Sequence, residues 1–229
     1  MDDQLAERLA SVDARIAEAA RAAGREPSEI TRIVVTKFHP ASLVEALHAL
    51  GVRDVGENRQ QELTAKTSEV GSLEGLAWHF IGQAQTNKAR AVREAASVVH
   101  SLDRARLADA LDAAEHPESD VLDVLVQINL TDDTGRGGVA LDGVSALAEH
   151  VAGRPSLRLR GVMAVAPLDE EPARAFERLA KASEDVLAVA PDAGWISAGM
   201  TADFPEAISM GATHLRIGSA ITGPRPTRG

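Results

Sequence analysis

Lys37 closes the apolar run Ile33-Val34-Val35-Thr36 and is followed by Phe38-His39-Pro40. A β-branched run stopped by a proline reads as the end of a strand. An ammonium at that position is partly desolvated, which lowers its pKa and frees neutral amine for attack on an aldehyde. The chain has four lysines, and the other three, Lys66, Lys88 and Lys181, lie in polar, helix-like stretches that read as solvated. A second group of reactive types lies near the carboxyl end, in Ser197-Ala198-Gly199-Met200-Thr201 and Arg216-Ile217-Gly218-Ser219-Ala220. Glycines there let backbone N–H groups approach an anion, and Ser197, Thr201 and Ser219 add hydroxyl donors. Asp203 and Ser219 open elements whose amino termini would point at the same spot. An amine opposite an anion cradle fits a ligand with both a phosphate and an electrophilic carbonyl. Arg216, if it faces that ligand, is a permanent cation that would keep a pyridine nitrogen unprotonated and weaken it as an electron sink.

Groups so distant in sequence need a scaffold that gathers strand ends. Residues 4–23 carry Leu5, Leu9, Val12, Ile16, Ala19 and Ala23 at helical spacing, ended by Gly24, so 1–24 reads as an amino-terminal helix. Eight apolar runs follow as strands: Arg32–Thr36, Arg53–Val55, Ala77–Ile81, Val98–His100, Val121–Leu130, Leu157–Val162, Trp195–Ser197 and His214–Ile217. Amphipathic stretches separate them: Ser42–Leu50, Arg59–Glu69, Asn87–Ala95, Arg104–Ala114, Leu141–Val151, Pro172–Ala190 and Asp203–Met210. Eight strands alternating with helices predict an α/β fold, a (β/α)₈ TIM barrel in one domain over 1–229 with a frayed tail at 224–229. Barrel chemistry sits at the carboxyl ends of the strands, and phosphate is commonly held after strands seven and eight. A doubly wound sheet is the alternative, but Gly135-Arg136-Gly137-Gly138 fits neither GxGxxG nor a P-loop.

Composition narrows the function classes. The apolar fraction is 45%, the charged fraction 25% and the net charge −10, with no basic tract, so nucleic acid is not an expected partner. No apolar stretch approaches the roughly 20 residues that span a bilayer, and Met1-Asp2-Asp3 is acidic where a secretory signal would be basic. With no cysteine, neither disulfides nor thiolate chemistry are available. A cytoplasmic, soluble chain is the expectation. The seven histidines show no HxH or HExxH spacing, so no metal ligands are assigned. Glu57 and Asp103 read as helix-start capping or dipole groups, and Trp78 and Trp195 as packing anchors flanking strands.

The motifs Thr36-Lys37, Gly56-Glu57-Asn58-Arg59-Gln60-Gln61-Glu62, Trp78-His79-Phe80-Ile81-Gly82, Gln85-Thr86-Asn87-Lys88, Gly161-Val162-Met163, Gly199-Met200-Thr201-Ala202-Asp203 and Arg216–Gly223 occur in this order. Together they resemble the YggS/PROSC family of pyridoxal 5′-phosphate-binding homeostasis proteins, from about residue 30 to residue 223. The resemblance implies a barrel like the amino-terminal domain of alanine racemase, without its second domain. It implies pyridoxal phosphate (PLP) held as a Schiff base on Lys37. Ser197, Gly199, Met200, Thr201, Gly218 and Ser219 match the phosphate region, Arg216 the arginine near the pyridine nitrogen, and Asn58, His79 and Met163 the ring-facing positions. Departures are mild: Thr36 and Thr201 stand where serine is usual, Ala84 where leucine is common, and the Gly135–Gly138 loop lacks a lysine that many members carry. The family implies a monomeric regulator of vitamin B6 pools, with no catalytic residue and with PLP-dependent apoenzymes as possible recipients. A PLP-dependent racemase is the alternative, but racemases of this architecture use a tyrosine and this chain has none; His79 would have to stand in as the base. A Schiff-base aldolase acting on a phosphorylated substrate fits the lysine and the loops equally well on physical grounds.

Overall fold

A computed structural model of the chain describes residues 3–116, 120–133 and 135–225. Thr134 and the end of the expected tail, residues 226–229, lie outside the described residues. The first helix, α1 (Asp3–Ala22), buries Leu5, Leu9, Val12, Ile16 and Ala20, a spacing of three and four that lines one face. Eight strands follow: β1 (Thr31–Val35), β2 (Asp54–Glu57), β3 (Ala77–Phe80), β4 (Val98–Leu102), β5 (Leu122–Gln127), β6 (Leu157–Met163), β7 (Trp195–Ser197) and β8 (His214–Ile217). Each pairs in parallel with the next, and β8 pairs with β1, so the sheet closes into a barrel. The helices between them are α2 (Ala41–Ala49), α3 (Gln60–Val70), α4 (Ala89–Ala95), α5 (Ala105–Asp112), α6 (Val144–Ala152), α7 (Pro172–Val189) and α8 (Phe204–Ser209). A last turn, α9 (Ser219–Thr222), follows β8, and α1 packs against α8 and α9. Arg8 Nε fastens that contact by donating to the Ile221 carbonyl at 2.7 Å.

Alternation along each strand divides the side chains between two environments. Val34, Val55, Phe80, Val99, Val124, Val162 and Ile217 join the large core between sheet and helices. The residues between them point into the lumen. There Val98, Leu125 and Met163 form a separate apolar cluster, with Trp195 packed against it. Trp195 is therefore a lumen residue within a strand rather than a strand-flanking anchor. It lies 4.3 Å from the His214 ring and under the Arg160 guanidinium. Trp78, by contrast, belongs to the outer core. β6 is bent at Gly161, whose φ is 148° and where a Cβ would stand 1.9 Å from the Trp195 carbonyl. Only glycine fits there.

The lumen is unusually polar for a parallel barrel. Asp54, His79, His100, Asp123, Ser197, His214 and Arg216 all occupy strand positions, and of these only Asp54 is not buried. Asp123 is held at the amino-terminal end by Arg158 at 2.5 Å and Arg160 at 3.4 Å.

Candidate functional site

Lys37 continues the phase of Ile33 and Val35, so its side chain leaves the end of β1 over the lumen. It is half-buried and lines a cavity of about 370 Å³ at the carboxyl-terminal mouth of the barrel. Met200, Thr201, Arg216, Gly218 and Ser219 line the same cavity, together with Val35, Ile81 and His39. Strand ends more than 160 residues apart thus converge as the topology requires. The volume falls within the range of about 300–1,000 Å³ typical of small-molecule sites.

The backbone beside Lys37 is braced from below. Thr36 Oγ1 donates to Glu57 Oε1 at 2.6 Å. Lys66 Nζ donates to that same oxygen at 2.5 Å and to the Thr36 carbonyl at 2.8 Å. Lys66 is therefore buried and ion-paired, not solvated as its helical context led one to expect. Glu57 is wholly buried and caps nothing. Burial raises its pKa, opposed by the hydrogen bonds from Lys66 and Thr36. After Lys37 the chain turns sharply at Phe38, whose φ of 70° is the one positive value at a non-glycine among the described residues. Such a backbone costs on the order of 1–3 kcal/mol. It is held by the Phe38 N–H donating to Glu62 Oε2 at 2.9 Å, and by the Arg59 and Arg225 guanidiniums 5.1 and 4.2 Å from the ring centroid.

Arg216 is 5% exposed. It makes no ion pair among the described residues; NH1 donates to Ser197 Oγ at 2.6 Å and NH2 to the Ala164 carbonyl at 2.8 Å. Burial lowers its pKa to about 10, which leaves the guanidinium charged at neutral pH. The two carboxyl-end loops are tied together where the Arg216 N–H donates to the Gly199 carbonyl at 3.0 Å. Gly199 serves packing: φ is 90° and a Cβ would lie 2.7 Å from that of Ala207. The Met200 amide does not face the cavity as a free donor, because it donates to Asp203 Oδ1 at 2.6 Å. The donors left for an anion are the Thr201 and Ser219 hydroxyls and the first amides of α9, which have no acceptor within the helix. Gly218 leaves room beside them, since a Cβ would meet nothing nearer than Val35 at 3.7 Å.

Five expected site residues do not line the cavity, the packing glycine Gly199 among them. Ser197 is fully buried one layer down and is bonded to Arg216 and His100. His79 is also a layer too deep: Ile81, two residues on and on the same face of the strand, is what reaches the mouth from β3. His79 is 1% exposed and contacts Asp54 and His100, so it is not placed to act as a base in the cavity. Met163 belongs to the lumen cluster. Asn58 stands at the end of β2, its carbonyl against Gly82, and its buried Oδ1 has no hydrogen-bond partner among the described residues. His39 was not singled out by sequence; it lines the cavity, and burial with the nearby Lys66 charge lowers its pKa.

A closed parallel barrel carrying a lysine after its first strand, opposite loops after its seventh and eighth, defines a class. Residues 8–226 match the family model described as "Alanine racemase, N-terminal domain". Within that class the chain belongs to the pyridoxal phosphate homeostasis protein family. It is 41% identical to the protein of that name from Pseudomonas aeruginosa, over 96% of each chain. Identity to the one from Escherichia coli (strain K12) is 40%, over 97% of each. Among solved structures, PipY of Synechococcus elongatus PCC7942 with PLP bound superposes with a TM-score of 0.83 at 32% identity, over 96% of this chain and 100% of that one. Alanine racemase from Corynebacterium glutamicum shares the fold, with a TM-score of 0.72 at 15% identity, and this chain covers 61% of it.

Proposed function

We propose that this chain binds pyridoxal 5′-phosphate at the mouth of the barrel, carries it as a Schiff base on Lys37, and serves PLP homeostasis rather than turnover of a substrate. The observation that carries this reading is the convergence of Lys37, Arg216, Thr201, Gly218 and Ser219 on one cavity. When bound, the cofactor supplies an aldehyde carbon for amine addition, a pyridine nitrogen and a phosphate. The residues fit that group. Lys37 is the amine; Arg216 is a buried cation suited to an unprotonated ring nitrogen; Thr201, Ser219 and the opening amides of α9 offer donors to the phosphate. The orphaned Oδ1 of Asn58 is available to a polar substituent. Gly218, without a side chain, leaves the approach to the phosphate open. PLP is the bound group in the PipY structure, and that relative is 32% identical over its whole length.

A non-catalytic role is favoured by the chemistry of the cavity. Racemization by this architecture needs a second base opposite the lysine. The chain has no tyrosine, and His79 is committed to Asp54 and His100. The permanent charge of Arg216 opposes protonation of the ring nitrogen, which weakens carbanion stabilisation.

The test is the visible spectrum of purified full-length protein incubated with PLP, before and after borohydride, with peptide mapping of the reduced adduct. A yellow protein whose label maps to Lys37, and a folded but colourless Lys37→Ala, are the expected results. Label on another residue, or colour retained in Lys37→Ala, overturns the assignment.

A further inference from the structure

A line of hydrogen bonds crosses the lumen from the mouth cavity to the opposite end of the barrel. Arg216 NH1 lies 2.6 Å from Ser197 Oγ, and Ser197 Oγ 2.9 Å from His100 Nδ1. His100 Nε2 lies 2.9 Å from His79 Nδ1, and His79 Nε2 3.0 Å from Asp54 Oδ1. Both imidazoles are buried, at 0% and 1% exposure, whereas the Asp54 side chain is 30% exposed. Asp54 and His79 line a floor cavity of about 770 Å³ distinct from the one around Lys37.

Counting protons fixes the direction of this line. A guanidinium only donates and an ionised carboxylate only accepts. With both imidazoles neutral, His79 therefore gives its N–H to Asp54 and accepts at Nδ1, and Ser197 Oγ, accepting from Arg216, turns its own hydrogen to His100 Nδ1. His100, neutral, then carries its N–H on Nε2 and donates to His79 Nδ1. His79 carries its N–H on Nε2 and donates to Asp54. All four bonds run the same way, from the cation to the carboxylate, with every donor used.

We propose that His100 and His79 are positioning residues forming a reversible relay, through which protonation beside Asp54 is read at Ser197 and Arg216 beneath the ligand. In the reversed state His79 is protonated on both nitrogens and Nδ1 donates to His100 Nε2. His100 then holds its proton on Nδ1, and the Ser197 hydrogen must turn out of the line. The two states differ by one proton, taken from solvent at the partly exposed Asp54 end. His79 gains it as the Nδ1 hydrogen, His100 exchanges its single hydrogen from Nε2 to Nδ1, and Ser197 keeps its own, turned out of the line.

The surroundings favour His79 as the end point. It alone of the lumen imidazoles touches a carboxylate, Asp54 on β2. Across from it, β4 offers neutral His100, and burial holds that imidazole's pKa well below normal. Burial likewise lowers His214 on β8, to about 3. Asp123 on β5 is taken up by Arg158 and Arg160 of β6, and Arg216 completes the charged set.

The inference rests on the PLP reading for one of its two readouts, and the other is independent of it. Long-range ¹H–¹⁵N spectra of the full chain, labelled at histidine and without ligand, report the tautomers directly. Both His79 and His100 are expected as Nε2–H at high pH, with His100 switching to Nδ1–H as the pH falls. In Asp54→Asn the oxygen acceptor remains but the charge that favours a protonated His79 is gone, so the switch is expected at lower pH than in the wild type. In PLP-loaded protein the pH midpoint of the visible band is expected to move with it. Ser197→Ala cuts the line: the histidine switch should persist while the band loses that response, and it carries the test if Asp54→Asn does not fold. A His100 tautomer that is Nδ1–H at high pH, or that never changes, overturns the relay. So does a visible band whose midpoint stays put when the switch has moved. Failure of the wild type to take up PLP would sink the proposed function and leave the tautomer result to judge the relay.

Discussion

Replacing Lys66 by methionine tests whether the peptide carrying Lys37 is held by a buried ion pair. The side chains of Lys66 and Glu57 are 8% and 0% exposed, and the ammonium reaches both Glu57 Oε1 and the Thr36 carbonyl. Methionine keeps the unbranched stem but leaves a buried carboxylate with only the Thr36 hydroxyl, since Oε2 has no partner among the described residues. Breaking a buried pair from one side costs about 3–5 kcal/mol. That cost depends on pH in a stated direction. Burial raises the Glu57 pKa above its ordinary 4.5, and losing Lys66 raises it further. A carboxyl with a raised folded pKa contributes its full stability below 4.5 and loses it as the pH climbs through the folded value. Lys66→Met should therefore be penalised most at pH 8 and less at pH 5, by about 1.4 kcal/mol for each unit the pKa has risen. Urea unfolding of wild type and variant at both pH values measures the difference, and acid effects common to both cancel. Glu57→Gln added to Lys66→Met removes the stranded charge and should recover much of the loss. A single-variant penalty below about 1 kcal/mol at pH 8, or one equal at both pH values, would refute the reasoning.

Two further outcomes follow from the geometry. Gly218→Ala should retain PLP, because its Cβ has ordinary contacts, whereas Gly218→Asp or Ser219→Asp should lose it, the added anion opposing the phosphate; equilibrium dialysis separates the two. Burial depresses the His214 pKa from 6.5 to about 3, so its contribution is present above 6.5 and lost as the pH falls. Between pH 7.5 and 5 that loss is about 2 kcal/mol, and urea titrations of His214→Gln should be flatter by that amount; an unchanged slope would show that the imidazole is not the source.

The barrel was legible because each strand announced itself as an apolar run and each helix as an amphipathic stretch. Boundaries moved where runs were ambiguous. The fifth strand ends at Gln127 rather than Leu130, and the fourth continues to Leu102. The mouth was legible too, since Lys37, Thr201, Gly218 and Ser219 stand just past strand ends. Depth was not. Successive residues on one face differ by about 6.6 Å along a strand, enough to put Ile81 at the cavity and His79 beneath it. The signal for the lumen was polarity within the strands, used for Arg216 but not for the depth of His79. His79 between Trp78 and Phe80, and Arg216 between Leu215 and Ile217, are polar residues alternating with apolar ones, a pattern that marks the lumen face. Lys66 and Glu57 carried no such mark: a charged residue on a helix next to a charged strand end looks the same in sequence whether the pair is solvated or sealed.

The distribution of the cavity wall bears on what kind of protein this is. Its described lining comes from the segments after β1, β7 and β8, from Ile81 after β3 and from Arg225; none comes from the segments after β4, β5 or β6. A catalyst needs groups on both faces of a reacting carbon, held within a fraction of an ångström by supporting contacts. Here the rigid parts, the Glu57–Lys66 brace and the Arg216–Ser197 bond, all support the side that would grip the ligand. A ligand braced along that flank suits the holding role proposed above. Burst uptake of PLP followed by transfer to an apoenzyme faster than spontaneous release would agree with that reading, and steady turnover of a free amino acid would contradict it.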